Sequence, residues 1–128
     1  MKLQICKNSY IYTMFSDKTR KYRIADSKQE FFDQFGGENQ VVEKFLFGEV
    51  IFVRENEKVY AFKNKCPHQG AKLNGCWLEK NKVVCPVHQY RFDVENGRGQ
   101  GLYLENYPLE ENEDGYYLLR TYFSWFGE

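Results

Sequence analysis

The chain has 128 residues, enough for one domain with a modest hydrophobic core. Lys and Arg together number 18, as do Asp and Glu, and the zero net charge argues against a general nucleic-acid or membrane-surface binder. Hydrophobic residues make up 42% and charged residues 28%, which is typical of a globular protein and not of a disordered one. No apolar stretch approaches the roughly 18–20 residues that span a bilayer. Polar residues interrupt the first fifteen positions and make a poor signal peptide, so we expect a soluble, cytoplasmic protein.

The residue composition favours strands over helices. The chain contains 11 Phe, 10 Tyr and 2 Trp but only three Ala. Aromatic residues have high strand propensity, whereas Ala is the best helix former. Four Cys in a chain expected to be cytoplasmic do not indicate a disulfide framework, so metal binding or catalysis is the interpretation to test.

The first part of the chain is predicted to contain a strand, a turn and a short helix. Residues 9–15 have strand character, and residues 16–20 are predicted as a polar turn. Ser27 and Glu30 fit a capping box, in which Ser27 is the N-cap and Glu30 bonds back to it. Three Phe follow and two Gly end the pattern, so we predict a helix near residues 28–35.

Five further segments are rich in β-branched, aromatic and other apolar residues and are predicted as strands. They are residues 41–47, 49–54, 58–63, 102–107 and 116–122. Polar segments at residues 55–57 and 110–115 are predicted as hairpin turns. Residues 64–98 differ, because they hold two of the three Pro and both His. We therefore predict a small antiparallel β-domain interrupted by an irregular excursion, and functional residues concentrate in such loops.

Two short motifs in that excursion carry the chemistry. Cys66 and His68 lie in the sequence CPHQG, and Cys85 and His88 lie in the sequence CPVHQYRFD. Both His of the chain therefore lie within three residues of a Cys, and each of these Cys is followed directly by Pro. Pro fixes its own φ and stiffens both loops, as a metal site needs for its ligands.

Three interpretations of these four residues remain open. They could be core thiols and core imidazoles with no metal. They could form a tetrahedral zinc site, although zinc motifs usually pair Cys with Cys and His with His. They could hold a [2Fe–2S] cluster in which two Cys bind one iron and two His bind the other. The alternation of Cys and His in each loop favours the cluster, because each loop then supplies one ligand to each iron.

The two motifs and their separation resemble the cluster-binding loops of Rieske iron–sulfur proteins. The specific resemblance covers about residues 50–93, and the first forty residues carry none. A weaker resemblance extends to the C-terminus, where residues 106–109 resemble the strand that leaves the cluster region. The resemblance implies a small antiparallel β-sandwich: a single Rieske-like domain over residues 1–128, with a cluster-binding subdomain at about residues 64–98.

The resemblance also implies a role for each site residue. Cys66 and Cys85 would bind the inner iron, and His68 and His88 the outer iron nearer the surface. The two remaining thiols match no ligand position of the family, and we predict free, partly buried thiols at Cys6 and Cys76.

The sequence also departs from the family pattern. The glycine-rich residues 97–101 replace a cover loop that is Pro-rich in many relatives, and we expect them to be more flexible. Phe92 stands where high-potential members carry a Tyr hydroxyl, so we expect a low-potential cluster, at about −150 mV.

The implied function is one-electron transfer as a ferredoxin component, between a reductase and a terminal oxygenase or reductase. The chain would not be an enzyme by itself, because its only two His are already assigned and leave none for a mononuclear iron site. The alternatives are a small Rieske-like subunit of a nitrite-reductase-type complex and a zinc-stabilised structural or interaction module. Residues 58–98 hold eight basic and three acidic side chains, and we expect Lys65, Lys72 and Arg91 to steer an acidic partner.

Overall fold

The computed structural model of the protein describes residues 15–125. Within that range it contains twelve strands and one α-helix, which confirms the predicted all-β class with one short helix. The helix α1 is Lys28–Asp33. The strands are β1 Phe15–Ala25, β2 Gln40–Phe45, β3 Gly48–Glu55, β4 Lys58–Lys63, β5 Trp77–Glu79, β6 Lys82–Val84, β7 Arg91–Asp93, β8 Arg98–Gly99, β9 Leu102–Tyr103, β10 Asn106–Tyr107, β11 Leu109–Asn112 and β12 Gly115–Trp125.

The strands form three antiparallel sheets and one small hairpin. The terminal sheet has the strand order β1-β12-β11, and the central sheet has the order β10-β4-β3-β2. The loop sheet, with the order β5-β6-β7, lies within the excursion that carries the two Cys/His motifs. Strands β8 and β9 form the separate hairpin.

The central sheet is buried on both faces and therefore separates two cores. In β3, Val50 and Phe52 point to one side, while Ile51 and Val53 point to the other. The aromatic core, shared with α1 and the terminal sheet, comprises Ala25, Phe31, Phe32, Phe35, Val50, Phe52, Ala61, Tyr107, Tyr116 and Leu118. The site core, shared with the loop sheet, comprises Ile51, Val53, Phe62, Cys66, Leu73, Cys76, Val83, Cys85, Phe92, Val94 and Leu104. The uninterrupted apolar run in β3 follows from this double burial, because both faces of the strand lack contact with water.

Helix α1 closes the aromatic core between two sheets. The Phe31 ring lies 4.9 Å from that of Phe52 in the central sheet and 5.5 Å from that of Tyr116 in the terminal sheet. Phe31 is fully buried. Its edge-on and tilted ring contacts add to the stabilisation that comes from burying its apolar surface. The helix therefore links the two layers of the sandwich.

The N-terminus of α1 is capped almost as predicted. The Ser27 hydroxyl accepts a hydrogen bond from the backbone N–H of Glu30 at 3.1 Å. The Glu30 carboxylate accepts from the backbone N–H of Asp26 instead of that of Ser27, so the predicted reciprocal bond is wrong by one residue. The helix ends at Asp33, two residues before the predicted limit, because Gln34 already caps it.

The predicted polar turn at residues 16–20 is wrong. These residues belong to β1, which pairs with β12 from Phe15 to Ala25. The Thr19 and Thr121 hydroxyls lie 3.2 Å apart across the two strands, 102 positions apart in the sequence. A polar segment forms a strand here because a strand distant in the sequence supplies the partners for its backbone hydrogen bonds. Of the strand predicted at residues 9–15, positions 9–14 lie outside the described residues.

Two predictions near the end of the chain need correction. The strand predicted at residues 102–107 is broken, because β9 pairs with β8 whereas β10 pairs with β4 of the central sheet. The acidic turn predicted at residues 110–115 is shorter, because β11 already pairs with β12 up to Asn112.

The excursion at residues 64–98 is more regular than predicted. It contains the loop sheet, whose first hairpin turns at Lys80 and Asn81 with φ values of 52° and 64°. Two successive residues with positive φ are typical of a type I′ turn, which suits a two-residue hairpin. Phe92 and Val83 of this sheet are fully buried, so the segment contributes side chains to the site core. Within residues 15–125, no helix is long and apolar enough to cross a membrane.

Candidate metal centre

The first loop is a tight turn between β4 and the loop sheet. The backbone N–H of Gly70 donates to the Cys66 carbonyl at 2.7 Å, and the Cys66 N–H donates to the Ala71 carbonyl at 2.6 Å. Gly70 has a φ of +77°, a conformation that Gly adopts without the strain of a side chain. These bonds fold the segment back on itself, so Cys66 and His68 are held within one turn.

The second loop closes in a similar way but uses no Gly. The Cys85 N–H donates to the Tyr90 carbonyl at 2.8 Å. Between them, His88 and Gln89 adopt φ values of 66° and 57°, in the left-handed region. Non-Gly residues seldom adopt this region, and such strain concentrates at functional sites. Gln89 therefore adopts a backbone conformation that Gly reaches without strain.

The four motif side chains are arranged in two levels. Cys66 and Cys85 belong to the site core and are 1% and 0% exposed. His68 is half-buried and His88 is exposed. The two imidazole rings lie 5.1 Å apart, centroid to centroid, with an angle of 81° between their planes. The two thiols thus lie below and the two imidazoles lie nearer the surface.

The two thiols also influence each other. Burial raises the pKa of the Cys85 thiol, and its interaction with the nearby Cys66 thiol raises that pKa further, while a backbone hydrogen bond at Val87 lowers it. Two buried sulfurs would repel each other if both were ionised, so a bound cation would be needed to hold them as thiolates.

This donor set fits a centre with two metal ions better than one with a single ion. In residues 15–125, no three His, Cys, Asp or Glu side chains are arranged to hold one metal ion. Two thiols on the inner level and two imidazoles on the outer level could instead each hold one ion of a pair. The four residues could therefore hold a [2Fe–2S] cluster with mixed thiolate and imidazole ligands.

One aromatic contact of the site was not anticipated from the sequence. The Tyr90 ring, from the second loop, stacks on the His68 ring of the first loop, with centroids 4.0 Å apart and planes 19° apart. Tyr90 is half-buried against the site core. The stack therefore connects the two loops through a direct ring contact.

A polar network that the sequence analysis missed supports the first loop. Asn64, which is 5% exposed, accepts a hydrogen bond from the Leu73 N–H at 2.7 Å. Its amide donates to the Asn74 side chain at 2.9 Å and to the Glu49 carboxylate at 3.2 Å. Glu49 in turn pairs with Lys72 at 3.2 Å. The only sequence signal was an Asn directly after a strand, which is too common to identify a network.

The far end of the same segment is fastened to β2. The side chain of Gln40 accepts a hydrogen bond from the Gly75 N–H at 2.9 Å and donates one to the Cys76 carbonyl. The 64–76 segment is thus held at both ends by side-chain amides, Asn64 at the start and Gln40 at the end. Such bonds replace the ladder that an irregular segment lacks.

The three cations predicted to steer an acidic partner differ in their environments. Lys72 is paired with Glu49 at 3.2 Å, and Arg91 is paired with Glu79 at 2.8 Å. Lys65 is exposed and, in the described part of the chain, makes no ion pair. It lines a cavity of about 270 Å³ with Lys63, Cys66, Pro67, Gly70, Tyr103 and Glu105.

Cys76 is a free thiol and is 3% exposed, so it is more deeply buried than the partly buried thiol predicted for this position. Burial raises its pKa to about 12, with a smaller contribution from Cys85. Cys6 lies outside the described residues.

The glycine-rich segment at residues 97–101 is packed tightly against the loop sheet. A Cβ atom on Gly99 would lie 1.9 Å from the Arg91 carbonyl oxygen, and one on Gly97 would lie 2.0 Å from the Leu104 carbonyl oxygen. The Arg91 N–H also donates to the Gln100 side chain at 3.0 Å. These contacts do not favour the flexibility predicted for this segment. The glycines instead allow its backbone to approach that of neighbouring segments closely.

Together these features define a class of protein: a small antiparallel β fold in which two Cys/His loops could hold a metal centre. The family model of the Rieske [2Fe-2S] domain matches residues 26–108, well over half of the chain. The chain therefore belongs to the Rieske [2Fe-2S] domain family, which confirms the resemblance drawn from the two motifs. Membership of this family implies a [2Fe-2S] cluster as the cofactor.

Similar proteins include several ferredoxin components. The chain is 32% identical over 77 residues to the ferredoxin component of the alkene monooxygenase system of Xanthobacter autotrophicus, covering 57% of this chain and 62% of that protein. It is 39% identical over 62 residues to the ferredoxin component of the naphthalene 1,2-dioxygenase/salicylate 5-hydroxylase systems of a Ralstonia species, covering 48% of this chain and 60% of that protein. The matches thus span about three fifths of each relative.

A solved structure agrees over a larger share of the fold. The ferredoxin of carbazole 1,9a-dioxygenase from Nocardioides aromaticivorans superposes with a TM-score of 0.59 and 26% sequence identity. The match covers 77% of this chain and 95% of that one.

Proposed function

We propose that the protein is a one-electron carrier, the ferredoxin component of an oxygenase or reductase system. Its [2Fe–2S] cluster would be bound by Cys66 and Cys85 through their thiolates and by His68 and His88 through their imidazoles. The observation that carries the proposal is the two-level arrangement of these side chains, with two buried thiols in the site core and two imidazoles 5.1 Å apart nearer the surface.

Each ligand pair has a distinct task in this proposal. When bound, the cluster supplies reversible one-electron transfer, and its potential depends on ligand charge, hydrogen bonds and solvent exposure. The thiolates of Cys66 and Cys85 anchor it in the site core and exclude water from its inner side. The exposed imidazole of His88 forms the edge that a redox partner can approach closely.

The relatives support the choice of partners. Two of the similar proteins are named as ferredoxin components of oxygenase systems, and a third is the ferredoxin of a dioxygenase. We therefore propose a reductase as electron donor and a terminal oxygenase or reductase as acceptor, with no reaction catalysed by this chain alone. A small subunit of a nitrite-reductase-type complex would use the same site and stays the alternative.

The proposal also includes the domain organisation and the location. We treat the chain as one Rieske-like domain, with residues 64–98 as the cluster-binding subdomain. A cytoplasmic location is supported by Cys76, which is a free thiol and not part of a disulfide.

A zinc-stabilised module is the competing function from another class. A zinc site needs four donors around one ion, whereas no group of three or more donors converges on one ion within residues 15–125.

A low reduction potential is also part of the proposal. Phe92 is fully buried, and its ring offers the cluster no hydroxyl.

The test is analysis of the purified protein for iron, acid-labile sulfide and zinc, followed by reduction with dithionite. We expect about two irons and two sulfides per chain, and an EPR signal from the cluster after its reduction by one electron. A colourless protein with one zinc per chain would refute the proposal.

A further inference from the structure

We infer that Tyr90 is a positioning residue that holds the imidazole of His68 in the plane required for binding the outer iron. The inference rests on the proposed function, because it assumes that His68 is a ligand. The geometry that supports it is the parallel stack of the two rings, 4.0 Å apart and 19° from coplanar.

Three observations indicate that the stack is a built contact. The Tyr90 carbonyl accepts the hydrogen bond that closes the second loop, so the residue's backbone is fixed by Cys85. The left-handed conformations of His88 and Gln89 reverse the chain just before Tyr90. The Tyr90 side chain also packs against the site core. Tyr90 is therefore held through its backbone and through its side chain.

The ring of Tyr90, and not its hydroxyl, makes the contact. Within the described residues, the hydroxyl has no hydrogen-bond partner in the protein, whereas the ring face covers the imidazole of His68. Stacking restricts rotation of the imidazole about its χ2 torsion and shields one of its faces from water. His88 has no such cover and meets His68 edge-on, so the two imidazoles of the site are not equivalent.

This asymmetry predicts which ligand Tyr90 affects. Without the ring, His68 gains rotational freedom, and its bond to iron should break more often. The stacking energy of an aromatic pair corresponds to about a two- to tenfold faster loss of the cluster to a chelator. The EPR coupling of the His68 nitrogen should also change, whereas that of the His88 nitrogen should not.

The experiment compares Tyr90→Phe, Tyr90→Leu and Tyr90→Ala with the wild-type holoprotein. The measurements are iron content, the rate of bleaching by EDTA, and pulsed EPR of the imidazole nitrogens after reduction. Tyr90→Phe keeps the ring and should match wild type in all three. Tyr90→Leu keeps apolar bulk in the site core but has no ring, and should show faster bleaching and one altered nitrogen coupling.

The control is Tyr103→Ala. Tyr103 is exposed and lies beside the first loop, but its ring stacks on neither imidazole. It should leave bleaching and nitrogen couplings unchanged. If wild type contains the cluster but Tyr90→Leu behaves like wild type, the inference is overturned while the proposed function stands. If Tyr90→Phe is as defective as Tyr90→Leu, the hydroxyl and not the ring is responsible, and the inference is also wrong. A wild-type protein without iron and sulfide overturns the proposed function itself.

Discussion

The side chain of Asn64 accepts a hydrogen bond from the backbone N–H of Leu73, at 2.7 Å, across the base of the first loop. Both residues are buried, so water does not replace this bond when it is lost. The same amide reaches Asn74 and Glu49, and it therefore joins the end of β4 and the start of β3 to the segment that follows Cys66. The position of the first loop depends on one side chain outside the two motifs.

Replacing Asn64 by Ala should destabilise the protein by about 1–3 kcal/mol, because the Leu73 N–H is left buried without a partner. Chemical denaturation monitored by circular dichroism measures this loss. The control is Asn74→Ala, which removes one bond at an exposed position and should cost less. Equal stability of Asn64→Ala and wild type would contradict the structural role of the network.

The ligand assignment predicts a sharp difference between the cysteines. Cys66→Ser and His88→Ala should lose most of the iron and the visible absorption, because metal binding and folding of the surrounding loops are coupled. Cys76→Ser should retain the wild-type iron content, although Cys76 is nearly as buried as the two proposed Cys ligands. Iron and sulfide analysis of the purified variants measures the effect. Loss of iron in Cys76→Ser would show that the thiols are assigned incorrectly.

The sequence was sufficient to predict the site motifs because their information is local. Each motif places its Cys and its His within one turn of the chain: Cys66 with His68, and Cys85 with His88. A Pro directly after each Cys marks both turns. The support of the site was not predictable in this way. Glu49 meets Asn64 from 15 positions away and Gln40 meets Gly75 from 35 positions away, and neither spacing has a periodic signal.

The same distinction explains the errors in the fold. β3 was predicted because its apolar run has high strand propensity, whatever its partners. The polar residues of β1 have no such signal and form a strand only because β12 pairs with them. Residues 102–107 look continuous, but the chain changes partner between β9 and β10. Only the tertiary structure determines where a strand leaves one sheet and joins another.

Gly99 should not tolerate a larger residue. A Cβ at this position would lie 1.9 Å from the Arg91 carbonyl oxygen, so Gly99→Ala must displace β7, at a cost of roughly 1–3 kcal/mol. Because β7 follows the second loop, the variant should also lose its cluster faster. Gly101→Ala is the comparison, since no atom lies within 4 Å of its added Cβ and only backbone strain from its φ of +76° results. Denaturation midpoints and bleaching by EDTA measure both effects, and wild-type behaviour of Gly99→Ala would contradict the packing.

Glu43 should make the stability of the protein depend on pH. The residue lies on β2 between Val42 and Lys44, on the same face as Val41 and Phe45, which pack against the aromatic core. Burial raises the pKa of its carboxyl group above the ordinary value of 4.5. The folded state therefore binds this proton more tightly than the unfolded state, and stability falls as the pH rises from 4.5 through the folded-state pKa.

Glu43→Gln removes this penalty and should be more stable than wild type at pH 7, with a smaller gain at pH 5. Denaturant midpoints of both proteins at the two pH values test this. Glu57→Gln, at an exposed turn position, should change neither midpoint. A gain that is larger at pH 5 than at pH 7 would show that the sign of the pKa shift is wrong.

Lys65 should steer negatively charged redox partners towards the site. Of the three cations expected there, Lys72 and Arg91 are held by acidic neighbours, whereas Lys65 is exposed beside Cys66. An anionic oxidant such as ferricyanide should therefore oxidise the reduced protein more slowly as salt screens the attraction. Lys65→Gln should lower that rate about two- to fivefold at low ionic strength, the effect expected of one charge near the contact. Lys58→Gln is the matched control, because it removes the same charge from the opposite end of β4. Stopped-flow oxidation at several salt concentrations distinguishes the two variants, and equal rates for both would show that Lys65 has no special part in docking.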